Sequence, residues 1–358
     1  MMSKNICFIT PQIYPDVFGG AEVFNYYLIN DLAKKNEVSY ITLSDENIYE
    51  ATKYRLKTKR NIHQLLEIIK IIILSPKDRV FVVSFMRTKW YYIIMYPLLN
   101  IVLNKKYVIV IHGGGMMPWK WKYPFNLFFK RAKTIFGVSQ TICKEYTTRT
   151  NTKIHYLPPL IPFELAKKDK NSLRKEYNFI EKAKIFLIVG SLKDLKKPLI
   201  VLEALDKIDK VFLRKQNIRI LYAGDGVLNN KMKIFIKDKG LSEYVHLLGN
   251  IPRDKINAYY KLSDFYIISS DFEGTPISML EAMYNKLCII GSDVKGVNNI
   301  INDSDGGFLF DNTNALELSN IMINVINYNH LEKRDNAYRF FNQHFNYLKL
   351  VDAFQLNL

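Results

Sequence analysis

Short apolar runs alternate with longer amphipathic stretches along nearly the whole of this chain, and that alternation restricts it to parallel β-sheets whose strands are joined by crossover helices. In the first half the runs are ICFIT (6–10), VSYITL (38–43), VFVVSF (80–85), YVIVIHG (107–113) and TIFGVS (134–139). In the second half they are KIFLIVGS (184–191), IRILYAG (218–224), VHLLG (245–249), DFYIISS (264–270), LCIIGSD (287–293) and GFLF (307–310). A length of 358 residues matches about two domains. Between the two sets of runs, LPPLIP followed by KKDKNSLRKE carries too much proline and charge for a core element and reads as a linker. The expected organisation is an α/β chain of Rossmann-like, doubly wound parallel-sheet domains: 1–165 on the acceptor side, 166–330 for a nucleotide sugar, and 331–358 as a helical segment able to pack back on the first domain. Two such domains facing each other leave a cleft at the carboxyl ends of their strands.

Hydrophobic residues make up 48% and charged residues 24% of the chain, enough apolar surface to build sizeable cores. The formal charge is +17, and it is uneven: residues 1–170 hold 26 Lys and Arg against 12 Asp and Glu. Such an excess calls for an anionic partner of the first half or serves solubility. Cys7, Cys143 and Cys288 have no metal-like spacing, so a reducing compartment, the cytoplasm, is expected. No signal peptide opens the sequence, and the longest apolar stretch, Trp90 to Leu103, is interrupted by Pro97 and Asn100. It falls short of the roughly 20 residues that span a bilayer, so at most the protein touches a membrane from the cytoplasmic side.

The most informative motif is EGTPISMLE, Glu273 to Glu281, directly after a strand. Thr275 is placed to cap a helix and Pro276 to be its first residue, so free N–H groups and a positive dipole end are expected at the carboxyl edge of the sheet, where they suit a phosphate. At about 1.5 Å rise per residue the Glu273 and Glu281 carboxylates fall around 10 Å apart along the chain. That exceeds the ~5 Å of a retaining glycosidase pair and suits an elongated ligand with hydroxyls at both ends, such as a nucleoside diphosphate sugar. Phe18-Gly19-Gly20-Ala21-Glu22 opens a helix after the first strand, where paired glycines let a backbone approach a ligand or simply make a tight turn. His112 ends a strand before Gly113-Gly114-Gly115, and there a neutral imidazole can hydrogen-bond a sugar hydroxyl. Lys193, Lys196 and Lys197 follow another strand and can neutralise a leaving diphosphate. Gly224-Asp225-Gly226 and Asn250-Ile251-Pro252-Arg253 are further turns at a ligand edge. The histidines have no ligand spacing, so no metal is expected. Taken singly, each of these residues also fits a surface or core role.

Together these segments resemble glycosyltransferase family 4, retaining enzymes of the GT-B fold, over nearly the whole chain and most strongly over 184–312. Glu273 and Glu281 match its glutamate, seven residues, glutamate element; FGGAE, IHGG, YAGDG, VHLLGNIPRDKINAYYKLSDFYIISS and DGGFLF match others. The resemblance implies that Gly19 and Gly20 admit the donor, and that His112 contacts its sugar near the reacting carbon. It implies that Glu273 and the segment Gly274, Thr275, Pro276 and Ile277, through its main-chain N–H groups other than that of the proline, hold sugar and diphosphate, that Glu281 binds the ribose, and that Lys196 balances the leaving phosphate, with Ser191, Gly224 and Pro252 also lining the donor. Attack is then from the front face, without a metal or other cofactor. The sequence departs from the family at Ser191, where arginine is usual and for which Lys193 or Lys197 is a substitute, at Pro158-Pro159-Leu160, and at Lys295-Gly296-Val297-Asn298-Asn299.

Trp119, Lys120, Trp121 and Lys122, with Lys130 and Arg131, interleave aromatic and basic residues, and Lys53 to Arg60 adds five positive charges. This pattern suits interfacial anchoring to anionic lipid or contact with an acceptor. The expected partners are therefore a nucleotide-sugar donor, most simply UDP-linked, a lipid-linked glycan acceptor and an anionic membrane surface, with no nucleic acid. The expected reaction is transfer of a hexose or N-acetylhexosamine to a bacterial surface glycan such as O-antigen, capsule or lipopolysaccharide. The alternatives are a nucleotide-sugar epimerase or hydrolase of the same fold, or a non-catalytic binder of anionic lipid or nucleic acid.

Overall fold

The computed structural model describes residues 3–10, 12–13, 20–45, 47–48, 50–57, 61–85, 97, 100–113, 122–158, 160, 162–163 and 165–358. The chain divides into two compact units, Met1–Pro162 with Asn346–Leu358, and Phe163–Phe345.

The first unit is built on a seven-stranded sheet of order β3-β2-β1-β4-β5-β6-β7. Its strands are β1 Asn5–Ile9, β2 Glu37–Thr42, β3 Thr52–Arg55, β4 Val80–Phe85, β5 Lys106–Ile111, β6 Thr134–Gly137 and β7 His155–Tyr156. All of its pairings are parallel. Successive residues of a strand point to opposite faces, and here both faces are covered. Cys7, Ile9, Phe81, Val83, Ile109 and Ile111 enter one buried layer, whereas Ile6, Phe8, Val82, Val108 and Val110 enter the other. The helix Tyr347–Asn357 seals the second layer with Phe354, whose ring lies 5.0 Å from that of Phe136.

Two strands were not expected from sequence, β3 and β7. β3 is a polar edge strand drawn from the basic run: Lys53 Nζ donates to Asp45 O at 2.6 Å and Arg55 pairs with the Asp45 carboxylate. Part of that run is thus spent on local structure.

The second unit carries a six-stranded parallel sheet of order β10-β9-β8-β11-β12-β13, with β8 Lys184–Val189, β9 Ile218–Ala223, β10 Val245–Gly249, β11 Phe265–Ile268, β12 Cys288–Ser292 and β13 Gly307–Phe310. Phe186, Ile188, Ile220, Tyr222, Ile267 and Ile290 face one layer; Ile185, Leu187, Leu221, Tyr266, Ile268 and Ile289 face the other. In both sheets the strand order reverses beside the first strand of the unit, which leaves a crevice outside the carboxyl ends of β1 and β4, and of β8 and β11.

The charged stretch read as a linker is in fact a docked helix, Lys170–Glu176. Its charge is tolerated because Asp264 receives Lys170 Nζ at 2.6 Å and Arg174 Nη2 at 2.7 Å, while also accepting the main-chain N–H of Ile185. The three cysteines are free, with Cys7 and Cys288 buried. Among the described residues no helix is long and apolar enough to cross a membrane.

Candidate functional site

The crevice of the second unit is formed by the segments that leave β8 and β11. The first passes through Gly190 and Ser191 into a 3-10 turn, Asp194–Lys196, and then into the helix Pro198–Asp206. The second passes through Ser269 and Ser270 to the helix Ile277–Tyr284. They are tied together by main chain and hydroxyls: Asp271 N donates to Leu195 O at 2.9 Å, and Ser269 Oγ reaches Lys196 O at 2.8 Å. This stitching brings Lys196 Nζ to 2.5 Å from Glu273 Oε1, which also accepts from Ser270 Oγ at 2.7 Å. Gly190, Ser191, Lys196, Ser270 and Glu273 line a small hollow of about 20 Å³ there. Larger hollows, about 600 Å³ along the helix Ala315–Asn327 and about 340 Å³ near Cys288 and Arg334, share none of its residues.

The helix after β11 begins one residue later than the sequence pattern indicates. Pro276 occupies the N-cap position at φ −76°, ψ 96°, Ile277 is the first helical residue, and no side chain caps the start. Proline is equally suited to precede a helix, because its fixed φ matches either place and it has no N–H to satisfy. Thr275 thus stands one residue before the N-cap, and Pro276 O accepts from Met279 N at 3.0 Å and Leu280 N at 3.1 Å. On the other side, Gly296 at φ +89° lets the turn before the helix Asn298–Ser304 lie flush on this segment, for a Cβ there would sit 2.3 Å from Glu273 O.

Of the two lysines considered as substitutes at Ser191, Lys197 is committed elsewhere: its Nζ lies 2.8 Å from Asp271 Oδ1 and 3.4 Å from Asn312 Oδ1. Lys193 is exposed at the start of the 3-10 turn. Gly224 and Gly226 pack the β9 turn onto 190–192, with Leu192 N donating to Asp225 O at 3.0 Å. Pro252 stands at the N-cap of the helix Arg253–Leu262.

Glu281 lies inside its helix, buried, with Tyr260 Oη donating to Oε2 at 2.7 Å and Arg253 Nη1 2.5 Å from Oε1. Burial raises its carboxyl above the usual range, against the pull of Arg253 and Tyr260. Sequence reasoning did not single out Ser270, Tyr260 or Asn312, and it named Arg253 only as the end of a turn at a ligand edge.

In the first unit Gly20 starts the helix Gly20–Ala33; Gly19 lies outside the described residues. His112 follows β5, with its ring edge-on to Phe24 at 4.8 Å, and its buried Nε2 has no hydrogen-bond partner. Desolvation pushes its pKa down from 6.5 to about 3, so the imidazole is neutral. The unfolded chain takes up a proton at this position below about pH 6.5 that the folded chain refuses, so stability falls as pH drops from there toward 3. His112→Gln should flatten this loss: between pH 7 and pH 5 its melting temperature should drop less than that of the unchanged protein. Equal slopes would refute the buried neutral state.

Trp119, Lys120 and Trp121 lie outside the described residues; Lys122 begins the helix Lys122–Arg131, and Lys130 and Arg131 are exposed in its last turn. Phe128 and Phe129 of the same segment are core residues, stacked on Tyr107 and Tyr146. They cannot serve as interfacial anchors. Among the described residues no group of three or more His, Cys, Asp and Glu is placed to hold a metal.

Curated relatives are glycosyltransferases. The GalNAc-alpha-(1->4)-GalNAc-alpha-(1->3)-diNAcBac-PP-undecaprenol alpha-1,4-N-acetyl-D-galactosaminyltransferase of Campylobacter jejuni is 28% identical over 41% of this chain and 40% of its own length. The UDP-Gal:alpha-D-GlcNAc-diphosphoundecaprenol alpha-1,3-galactosyltransferase of Escherichia coli is 31% identical over 39% of this chain and 36% of its own. The matched parts are thus about two fifths of those relatives. Among solved structures, Anabaena HepE in complex with UDP shares 14% identity over 98% of both chains with a TM-score of 0.79. The two parallel-sheet units are those of the GT-B fold, and residues 169–340 match the model of the family described as glycosyl transferases group 1.

Proposed function

We propose that this protein is a retaining, metal-independent glycosyltransferase of family 4 that moves a hexose or N-acetylhexosamine from a UDP-linked donor to a lipid-linked or growing bacterial surface glycan. The observation that carries the reading is the Lys196–Glu273–Ser270 constellation at an uncapped helix start, with Glu281 eight positions further along. Glu273 is ion-paired and hydrogen-bonded, a state suited to holding sugar hydroxyls and poor for a nucleophile. Lys196 and the helix start offer positive charge where a departing diphosphate gains negative charge. The acceptor hydroxyl then attacks the face the diphosphate leaves, and a phosphate oxygen takes its proton. His112, neutral and unpartnered at Nε2, is assigned to a hydroxyl of the donor sugar. The undecaprenol-linked acceptors in the relatives' descriptions support a lipid-linked acceptor. The basic excess of residues 1–170 supports work at the inner face of the cytoplasmic membrane, as in O-antigen or lipopolysaccharide assembly.

The test begins with melting of the purified protein against UDP, GDP and ADP, with and without EDTA. A diphosphate near 100 Kd adds about 2.7 kcal/mol. One nucleotide should stabilise the protein regardless of EDTA, and Glu281→Ala should remove the effect. Its nucleotide sugar should then label an undecaprenyl-diphosphate-linked acceptor with the anomeric configuration kept. Sugar release without acceptor would replace the reading by a hydrolase, and an inverted anomer would sink the retaining step.

A further inference from the structure

We propose that Arg253 is a positioning residue of the nucleotide site, whose guanidinium holds the buried Glu281 carboxylate charged and in one orientation for a ribose hydroxyl. The inference rests on the donor reading above and adds to it the residue that prepares the acidic group.

Glu281 is 4% exposed at its side chain, a place where a carboxylate without a counter-charge is costly. Its Oε2 is occupied by the Tyr260 hydroxyl at 2.7 Å, and Ser278 O lies 3.0 Å from the same Oη. Oε1 is different. Arg253 Nη1 lies 2.5 Å away and supplies the compensating charge, and among the described residues that oxygen has no other partner. A carboxylate oxygen can accept more than one donor, so a ligand hydroxyl brought against it beside Arg253 gains a charge-assisted bond. Arg253 itself is 29% exposed, so the pair runs from the buried acid outward.

Tethering is supplied by the fold. Arg253 is the first residue of its helix, directly after Pro252, and Tyr260 lies two turns on; the same helix thus delivers both contacts. The remaining groups around the acid are Tyr266 from β11, whose Oη is spent on Ser278 Oγ at 2.6 Å, and Asn285, which binds the main-chain oxygen of Glu281. None of these brings positive charge. Without Arg253 the carboxyl, already raised by burial, rises further toward the protonated form, which turns an acceptor into a donor.

The experiment compares the tightest binder among UDP, GDP and ADP with its 2′-deoxy counterpart, by titration calorimetry from pH 6 to 9. In the unchanged protein the ribonucleotide should bind at least tenfold more tightly. Arg253→Met should weaken the ribonucleotide about tenfold or more at pH 7 and cut the preference below about threefold. Its affinity should recover as the pH rises to 9, while in transfer assays KM for the donor rises and kcat stays within about threefold. Arg253→Lys, which keeps the charge, should stay close to the unchanged protein. Should Arg253→Met fail to fold, Tyr260→Phe reads the same geometry from Oε2 and should shift the preference in the same direction.

An unchanged preference in Arg253→Met, or equal losses for both nucleotides, overturns the proposal. If Glu281→Ala abolishes the preference while Arg253→Met keeps it, the donor reading stands and only the role of Arg253 falls. If no nucleotide binds the unchanged protein, both fall.

Discussion

Lys196→Ala should lower kcat for sugar transfer by about 10²–10³-fold, the usual loss when one preorganised group facing developing negative charge is removed. Two effects act in the same direction. The ammonium assigned by the proposal to the diphosphate disappears, and Glu273, now left with Ser270 alone, adds uncompensated negative charge beside the helix start. Because charge on the leaving oxygen builds mainly in the transition state, kcat should fall more than KM for the donor rises. Lys196→Arg should retain a larger share of activity. Lys197→Ala is the informative contrast: it removes an equal charge one residue away whose ammonium is engaged by Asp271 and Asn312. Its effect should stay within about fivefold, in keeping with a partly exposed ion pair. Steady-state transfer from the labelled donor checks all three, and equal losses for Lys196→Ala and Lys197→Ala would mean that net charge, and not the placement of one ammonium, governs the rate.

That contrast also marks where the sequence stops being legible. The strands with continuous apolar runs stand where the pattern places them, because burial on both faces leaves an unbroken signal, as in Ile185 to Ile188. β3 and β7 gave none: TKYR alternates polar residues at a sheet edge, and β7 has two residues. The helix start after β11 was readable to within one residue, since proline is compatible with both of the first positions. The neighbours of the two glutamates were not. Nothing in spacing tells that Ser270 and Lys196 meet on Glu273, 77 residues of separation from the lysine, or that Arg253 and Tyr260 meet on Glu281. The first contact is made by the reversal of strand order, which sets the segment after β8 beside the segment after β11, and the second by the helix Arg253–Leu262 that leads from β10 into β11. Likewise the aromatic and basic run around Lys122 to Arg131 looks like one surface in sequence, whereas helical periodicity sends Phe128 and Phe129 into the core and leaves Lys130 and Arg131 outside.

Gly224→Ala should damage both stability and nucleotide binding, whereas Gly190→Ala should damage binding far more than stability. The two positions share the same backbone constraint, φ +151° and φ +154°, a region that residues with a Cβ rarely adopt. What differs is the space. A Cβ at Gly224 would lie 1.9 Å from the main-chain oxygen of Gly190, so one of the two turns has to move. A Cβ at Gly190 meets nothing within 4 Å, and Gly190 lines the hollow beside Lys196 and Glu273. The shared strain costs each variant on the order of 1–3 kcal/mol. The clash adds to it only in Gly224→Ala, whose melting temperature should fall by roughly 10 °C or more, at about 2–4 °C per kcal/mol for a unit of this size. Displacing the Gly190 segment also moves Ser191 and the turn that carries Lys196, so nucleotide affinity should drop about tenfold in the same variant. In Gly190→Ala the segment keeps its place, and the new methyl group stands in the space that a diphosphate would use. Its melting temperature without ligand should fall by less than half as much, with the shift produced by the nucleotide largely lost. A Gly190→Ala protein that binds the nucleotide as well as the unchanged chain would show that the ligand does not enter this hollow, and would move the donor site away from the carboxyl ends of β8 and β11.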